Sequence, residues 1–220
     1  MKLFQFLANI RVIQSMLRSV IFLINFLLKP QNQLQCFGDT GDSSSELIGV
    51  SVFKSDRLIG ELSAKETLCY NLIQNDIDSF NISIPNPENE KESIDLYLYT
   101  KSKPKINVKL INGSPYISVK LKLEAKILSL DENSNYITEL RLNDISNSAN
   151  QYLSNLVSDY LYKTSKEFES DINQFGKYAL KLFSTTNDFE NYNWLENYKN
   201  SFFDVNIDTN VQSALLLSGK

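Results

Sequence analysis

Histidine does not occur in this chain of 220 residues, which removes the commonest general base and the commonest transition-metal ligand. The two cysteines, Cys36 and Cys69, form no C-x-x-C pair, so neither a disulfide framework nor a zinc site is indicated. A glycine-rich phosphate loop is missing too, as is any evident cluster of metal-ligating side chains. With a net charge of −4 the chain also lacks the basic excess that phosphate backbones call for, so nucleic acid is not an expected partner. Finally, no uncharged apolar run reaches the roughly 18 to 20 residues of a membrane span. Arg11 and Arg18 break up the apolar stretches Leu3 to Ile13 and Val20 to Leu28.

What remains is an ordinary globular balance, 42% hydrophobic and 22% charged, long enough for one good-sized domain or for one domain with an appendage. The first 46 residues differ from the rest. Read from Met16, Arg18 followed by Val20 to Leu28 imitates the basic and apolar regions of a signal peptide. Asn25 breaks that apolar core, and Gln33-Leu34-Gln35-Cys36 lacks the small residue of a lipoprotein cleavage site. The segment reads instead as one or two apolar helices followed by a linker over Lys29 to Glu46, where Pro30, Gly38, Gly41 and Ser43-Ser44-Ser45 disfavour regular structure.

From Leu47 the pattern sharpens. Leu47 to Phe53 and Leu58 to Leu62 predict two strands joined at Ser55-Asp56, and Ser63-Ala64-Lys65-Glu66 is a capping box. The helix it opens has Leu68, Leu72 and Ile73 on one face, with Cys69 at its edge. Strands follow at Phe80 to Ile84, Ile94 to Leu98 and Ile106 to Leu110, and Asn112-Gly113 supplies a turn of positive φ. Ile117, Val119, Leu121, Leu123, Ala125 and Ile127 then alternate with polar residues, the pattern of a strand wet on one face.

The stretch Asn143 to Gly176 predicts one long amphipathic helix, with Ile145, Ala149, Leu153, Leu156, Leu161, Phe168, Ile172 and Phe175 forming its stripe and Tyr152, Val157 and Tyr160 widening it. Asn143 or Asp144 would cap its start, and Gly176 would end it through a positive φ. A kinked helix over Lys177 to Phe183 follows. Asn187 or Asp188 would cap another that carries Phe189, Tyr192, Trp194, Leu195 and Tyr198, and Phe202 to Leu217 is extended. The expected class is α+β: a mostly antiparallel sheet packed against the long amphipathic helix and shorter C-terminal helices.

Candidates for chemistry are few. Cys69 has no histidine to activate it and reads as buried filler. Trp194 reads as core rather than as a stacking platform. Glu167, Glu169 and Asp171, or Asp204 and Asp208, are conceivable acid/base carboxylates, but their positions suit solvated charge. Lys101, Lys103, Lys105, Lys109, Lys120, Lys122 and Lys126 form either a basic patch for phosphates or anionic lipid head groups, or a solvated sheet face, and the second is the simpler reading.

At these landmarks a resemblance becomes specific. Leu47-Ile-Gly-Val-Ser-Val-Phe-Lys-Ser-Asp-Arg-Leu-Ile-Gly-Glu-Leu62 with Glu66 closely resembles the opening of the C-terminal domain of the Ger(x)C family, the C subunits of spore germinant receptors. The family's order of features continues through Ala125-Lys-Ile-Leu, the long helix, Asp171-Ile-Asn-Gln-Phe-Gly176, the lone Trp194, Phe203, and a last strand with Val205, Ile207 and Val211 before Gly219. The similarity spans about Leu47 to Lys220, which sets the expected organisation as residues 1–46 ahead of a receptor-like domain over 47–220. Members are typically lipid-anchored, carry N-terminal domains, and work beside two membrane-embedded subunits at the spore inner membrane, on its outer face. The resemblance therefore implies a non-catalytic subunit in nutrient-triggered germination whose partners are the membrane-embedded subunits, through which it associates with the membrane. It carries over no catalytic residue, cofactor or metal. This chain reads as a truncated member. The competing reading is a freestanding ligand-binding module or a small carboxylate-based enzyme.

Overall fold

The computed structural model describes residues 31–39, 45–54, 57–89, 91–129 and 139–212. The expectations for residues 1–30, for the Ser55-Asp56 turn and for residues 213–220 lie outside the described residues. The chain forms two compact units, residues 1–62 and 63–220.

The first unit holds a three-stranded sheet in the order β1 (Gln31–Asp39), β2 (Ser45–Lys54), β3 (Arg57–Ser63). β1 falls within the stretch expected to be an irregular linker. Gly38 lies inside this strand, opposite Glu46, and antiparallel pairing with β2 occupies the backbone groups that face it. At Gly49 in β2 an added Cβ would collide with the carbonyl oxygen of Leu62, so only glycine fits where those two strands approach. Val50, Val52 and Leu62 are buried.

The second unit opens with α1 (Ala64–Gln74), started by the expected capping box: the Ser63 amide donates to Glu66 Oε2 at 2.7 Å, and the Glu66 amide to Ser63 Oγ at 3.4 Å. Its buried residues are Thr67, Cys69, Leu72 and Ile73, so Cys69 lies in the middle of the apolar face rather than at its edge. A four-stranded sheet follows, in the order β4 (Ser79–Pro85), β5 (Ser93–Ile111), β6 (Ser114–Ser129) and β7 (Phe202–Gln212). The two strands expected at 94–98 and 106–110 are one, β5. Register shifts around Ser102 leave Lys103 and Pro104 unpaired, which tolerates a proline with no N–H to give. Asn112 (φ 51°) and Gly113 (φ 82°) turn β5 into β6. On β6 the residues Ile117, Val119, Leu121, Leu123 and Ala125 are all buried.

The sheet is mostly antiparallel as expected, and its last strand and the helix that covers it add two details. β4–β5 and β5–β6 pair antiparallel, but β7 returns parallel to β6, from Tyr116 beside Phe202 to Lys126 beside Gln212. A parallel neighbour requires a crossover, which the intervening helices supply. The long helix α2 runs Glu139–Lys166, starting earlier and ending ten residues sooner than the periodicity predicts. Past Lys166 the chain leaves the helix: Glu169 (φ 47°) and Gln174 (φ 60°) adopt left-handed conformations, and the Ser170 amide turns back to the Thr164 carbonyl at 3.0 Å. Phe168, Ile172 and Phe175 are buried as predicted, but from a compact turn region that mimics helical spacing. Within α2 the buried stripe is Ile145, Ala149, Leu153, Val157, Tyr160, Leu161 and Thr164, while Leu156 is only half-buried.

α2 packs along β7 and caps its outer edge. Asn150 Oδ1 accepts the Thr209 amide at 2.7 Å and Ser146 Oγ the Val211 amide at 3.3 Å, so edge donors are satisfied by the helix instead of another strand. Beyond α2 come α3 (Gly176–Ala179), a 3-10 turn (Leu180–Leu182), α4 (Thr186–Tyr192) and α5 (Trp194–Tyr198). The cap of α4 is Thr185, with Asp188 its reciprocal partner, and Asn193 (φ 51°) separates α4 from α5 where a single helix was expected.

Candidate functional site

The polar run after α2 builds the most unusual local chemistry of the second unit. Asp171 Oδ1 accepts the Phe175 amide at 2.8 Å; Oδ2 accepts the Gly176 amide at 2.7 Å and the Trp194 indole N–H at 2.8 Å. The side chain is buried, and that burial pushes its carboxyl above the ordinary aspartate range against the pull of these donors. Gly176 sits beneath the indole: an added Cβ would lie 3.0 Å from Trp194 Cδ1 and Nε1. The glycine therefore answers a close ring approach at the first residue of α3, correcting the expectation of a positive φ.

Next to this lock, Tyr160 donates to Asn173 Oδ1 at 2.7 Å, and the hydroxyls of Thr164 and Tyr198 meet at 2.9 Å. The rings of Phe175, Trp194 and Phe203 surround Tyr198 at 6.1 to 6.5 Å between centroids. The Phe175, Gly176 and Trp194 hydrogen bonds to the Asp171 carboxylate all come from the fold itself, so it positions chain segments. Its burial corrects the view that all these acids are solvated. Periodicity offers no signal for it, because Asp171 occupies the interval between two apparently helical apolar positions.

The remaining candidates do not converge. Glu167 and Glu169 are exposed at the turn, apart from the buried face of Asp171. Asp204 and Asp208 lie on the solvent side of β7, the first accepting from Ser118 Oγ at 3.2 Å and the second 3.9 Å from Lys122 Nζ. Burial pushes the Cys69 thiol up to about 12, which keeps it protonated and a poor nucleophile. Trp194 is buried and unavailable as an open stacking platform. Among the described residues no group of three cysteines or carboxylates is placed to hold a metal ion, and no helix is long and apolar enough to cross a membrane.

Two surfaces are left. A groove of about 690 Å³ runs between the Pro85 to Glu88 loop and α2, lined by Asp144, Asn147, Gln151 and Asn155 among others. It offers amide and hydroxyl groups but no nucleophile with a base beside it. The second is the solvent face of the sheet, where the ladder aligns Tyr99, Glu124 and Asn210, then Ser102, Lys122 and Asp208, then Lys105, Lys120 and Asn206. Lys101 reaches Glu124 at 2.6 Å, and that hydrogen bond, with another from Tyr99, holds the glutamate below its ordinary range.

The strand order, the α2 cover and the Asp171–Gly176–Trp194 lock fall inside residues 48–214, which match the family model described as spore germination B3/GerAC-like, C-terminal. The chain belongs to this family. The motif residues of the GerAC-like resemblance, Asp171 to Gly176 with Trp194, are thus the ones that lock the segment after α2. Among solved structures, the crystal structure of the GerBC protein matches with a TM-score of 0.69 at 18% identity, over 86% of this chain and 58% of GerBC. That likeness establishes a shared α+β fold, and the chain spans little more than half the length of GerBC. Comparison with curated proteins gives no match.

Proposed function

We propose that this chain is a GerAC-like, non-catalytic component of a spore germinant receptor that acts in nutrient-triggered germination by binding the receptor's membrane-embedded subunits. The observation that carries this reading is the family match over residues 48–214, which runs from within β2 through β7 and takes in every helix between them. A subunit of this kind needs a rigid scaffold with an exposed contact surface. The scattering of its exposed carboxylates and the burial of Cys69 and Asp171 suit that role better than turnover. In this reading residues 47–220 form the receptor-like domain, 1–46 precede it, and the protein works at the outer face of the spore inner membrane, held there through its partners.

The test is deletion of the gene, combined with purification of the tagged full chain from spores. Loss of nutrient-triggered germination together with recovery of the membrane subunits is the expected result. Normal germination without any association would overturn the proposal, as would hydrolysis of a defined substrate by the purified chain at a useful rate.

A further inference from the structure

The solvent face of the β4–β7 sheet carries lysines in two settings. Lys101 pairs with Glu124 and Lys122 lies near Asp208. Toward the β5–β6 hairpin this pairing stops. Lys105 stands directly opposite Lys120 in the ladder, Lys109 follows four residues along β5 on the same face, and none of the three has an ion pair among the described residues. Like charges directly opposed across a ladder destabilise it, and a local conflict of that sort is expected where a site, rather than the fold, sets the residue.

The three lysines border a concavity of about 450 Å³ with Asn107, Tyr116 and Asp204, whose carboxylate is engaged by Ser118. Two large apolar side chains stand at the same end. Phe202, paired with Tyr116, is 59% exposed, and Ile111, the last residue of β5, is 50% exposed. The hairpin that carries Ile111 is braced by the Tyr192 hydroxyl, which donates to the Gly113 carbonyl at 2.7 Å.

The geometry points to this hairpin end as a docking surface for anionic phospholipid head groups. Lys105, Lys109 and Lys120 meet the lipid phosphates, while Phe202 and Ile111 enter the boundary between head groups and acyl chains. A free phosphate would satisfy the lysines but leave both apolar side chains in water. A neutral bilayer would take the apolar side chains but leave the opposed lysines uncompensated. The inference rests on the receptor reading above and adds which face of the chain meets the membrane.

Binding of the full chain to vesicles of phosphatidylglycerol and of phosphatidylcholine tests it, alongside Phe202→Trp fluorescence quenched by brominated lipid. Each lysine near an anionic surface is worth about fivefold in partitioning. Lys105→Gln/Lys120→Gln should therefore weaken binding to phosphatidylglycerol by roughly 25-fold, whereas Lys91→Gln/Lys126→Gln, with the same loss of charge elsewhere, should leave it close to native. The Phe202→Trp chain should be quenched on anionic vesicles only.

Equal binding to both lipids, equal loss in both double variants, competition by millimolar inorganic phosphate, or vesicle binding without quenching at position 202 would each overturn the proposal. The last outcome would place the contact elsewhere on the chain. The two readings fail separately. A native chain that recovers the membrane subunits from spores yet shows no quenching overturns the docking surface alone, and one that is quenched yet neither recovers them nor affects germination overturns the receptor role alone.

Discussion

Asp171 ties together three pieces of chain: the turn at Phe175, the first residue of α3 and the indole of Trp194. Asp171→Ala would leave three N–H donors without this acceptor in a buried site, where each unsatisfied group costs about 1 to 3 kcal/mol. A loss of at least 3 kcal/mol by urea denaturation is expected, on the order of what one buried group costs at its upper bound. Gly176→Ala should cost about 1 to 3 kcal/mol, because the new methyl must displace a buried ring. Trp194→Phe removes the indole Nε1, one of the two ring atoms that the methyl would meet at 3.0 Å, so the double variant Gly176→Ala/Trp194→Phe should lose less than the sum of the two. Strict additivity in that cycle would mean the ring does not dictate the glycine.

Glu66 supplies the pH dependence at this scale. Partial burial raises its carboxyl, but the Lys163 ammonium at 2.8 Å, with the Ser63 amide and hydroxyl, outweighs that and leaves it below its ordinary range. A depressed carboxylate contributes stability that is present above the unfolded pKa and lost as pH falls through the folded one. The stability advantage of the native chain over Glu66→Gln should therefore be full at neutral pH and shrink as the medium is acidified below the ordinary glutamate range. A constant difference in thermal midpoint across that window would contradict the pairing of α1 with α2.

Among the elements, α2 decides most. Its buried stripe passes through Val157, which is fully buried, and leaves Leu156 half-exposed beside it. Val157→Asp should abolish a cooperative thermal transition, because an unpaired buried charge costs several kcal/mol. Leu156→Asp, which the longer apolar stripe singles out, should melt at a lower temperature but still cooperatively. Equal effects from both would mean that the helix is rotated about its axis. The same helix, through Asn150 and Ser146, blocks the outer edge of β7. Strand addition is therefore blocked at the Thr209 and Val211 amides.

On the scale of the whole molecule, the order of assembly follows from the topology. The β5–β6 hairpin closes through a tight turn, whereas β7 pairs with β6 across the intervening α2 and C-terminal helices. Contacts distant in sequence carry the larger loop-closure cost and form late. In stopped-flow experiments Val119→Ala in β6 should slow folding, and Ile207→Ala in β7 should chiefly speed unfolding. The reverse pattern would place the crossover in the nucleus.

Several features of this fold are enforced by neighbours along the chain. The alternation from Ile117 to Ala125 sets the faces of β6, Asn112-Gly113 sets the hairpin, Ser63 with Glu66 starts α1, and the family motifs identify the chain as GerAC-like. Each depends on a period or a turn that a few residues encode. Tertiary structure alone decided the parallel return of β7, the end of α2 at Lys166, the strand within Lys29 to Glu46 and the burial of Asp171. Apolar spacing through Phe168, Ile172 and Phe175 suits a helix and a compact turn region equally, and only the donors brought by Gly176 and Trp194 from later in the chain make the second the stable one. The opposed lysines at the hairpin end belong with these, because the register that sets Lys105 against Lys120 is a property of the paired strands and not of either strand alone.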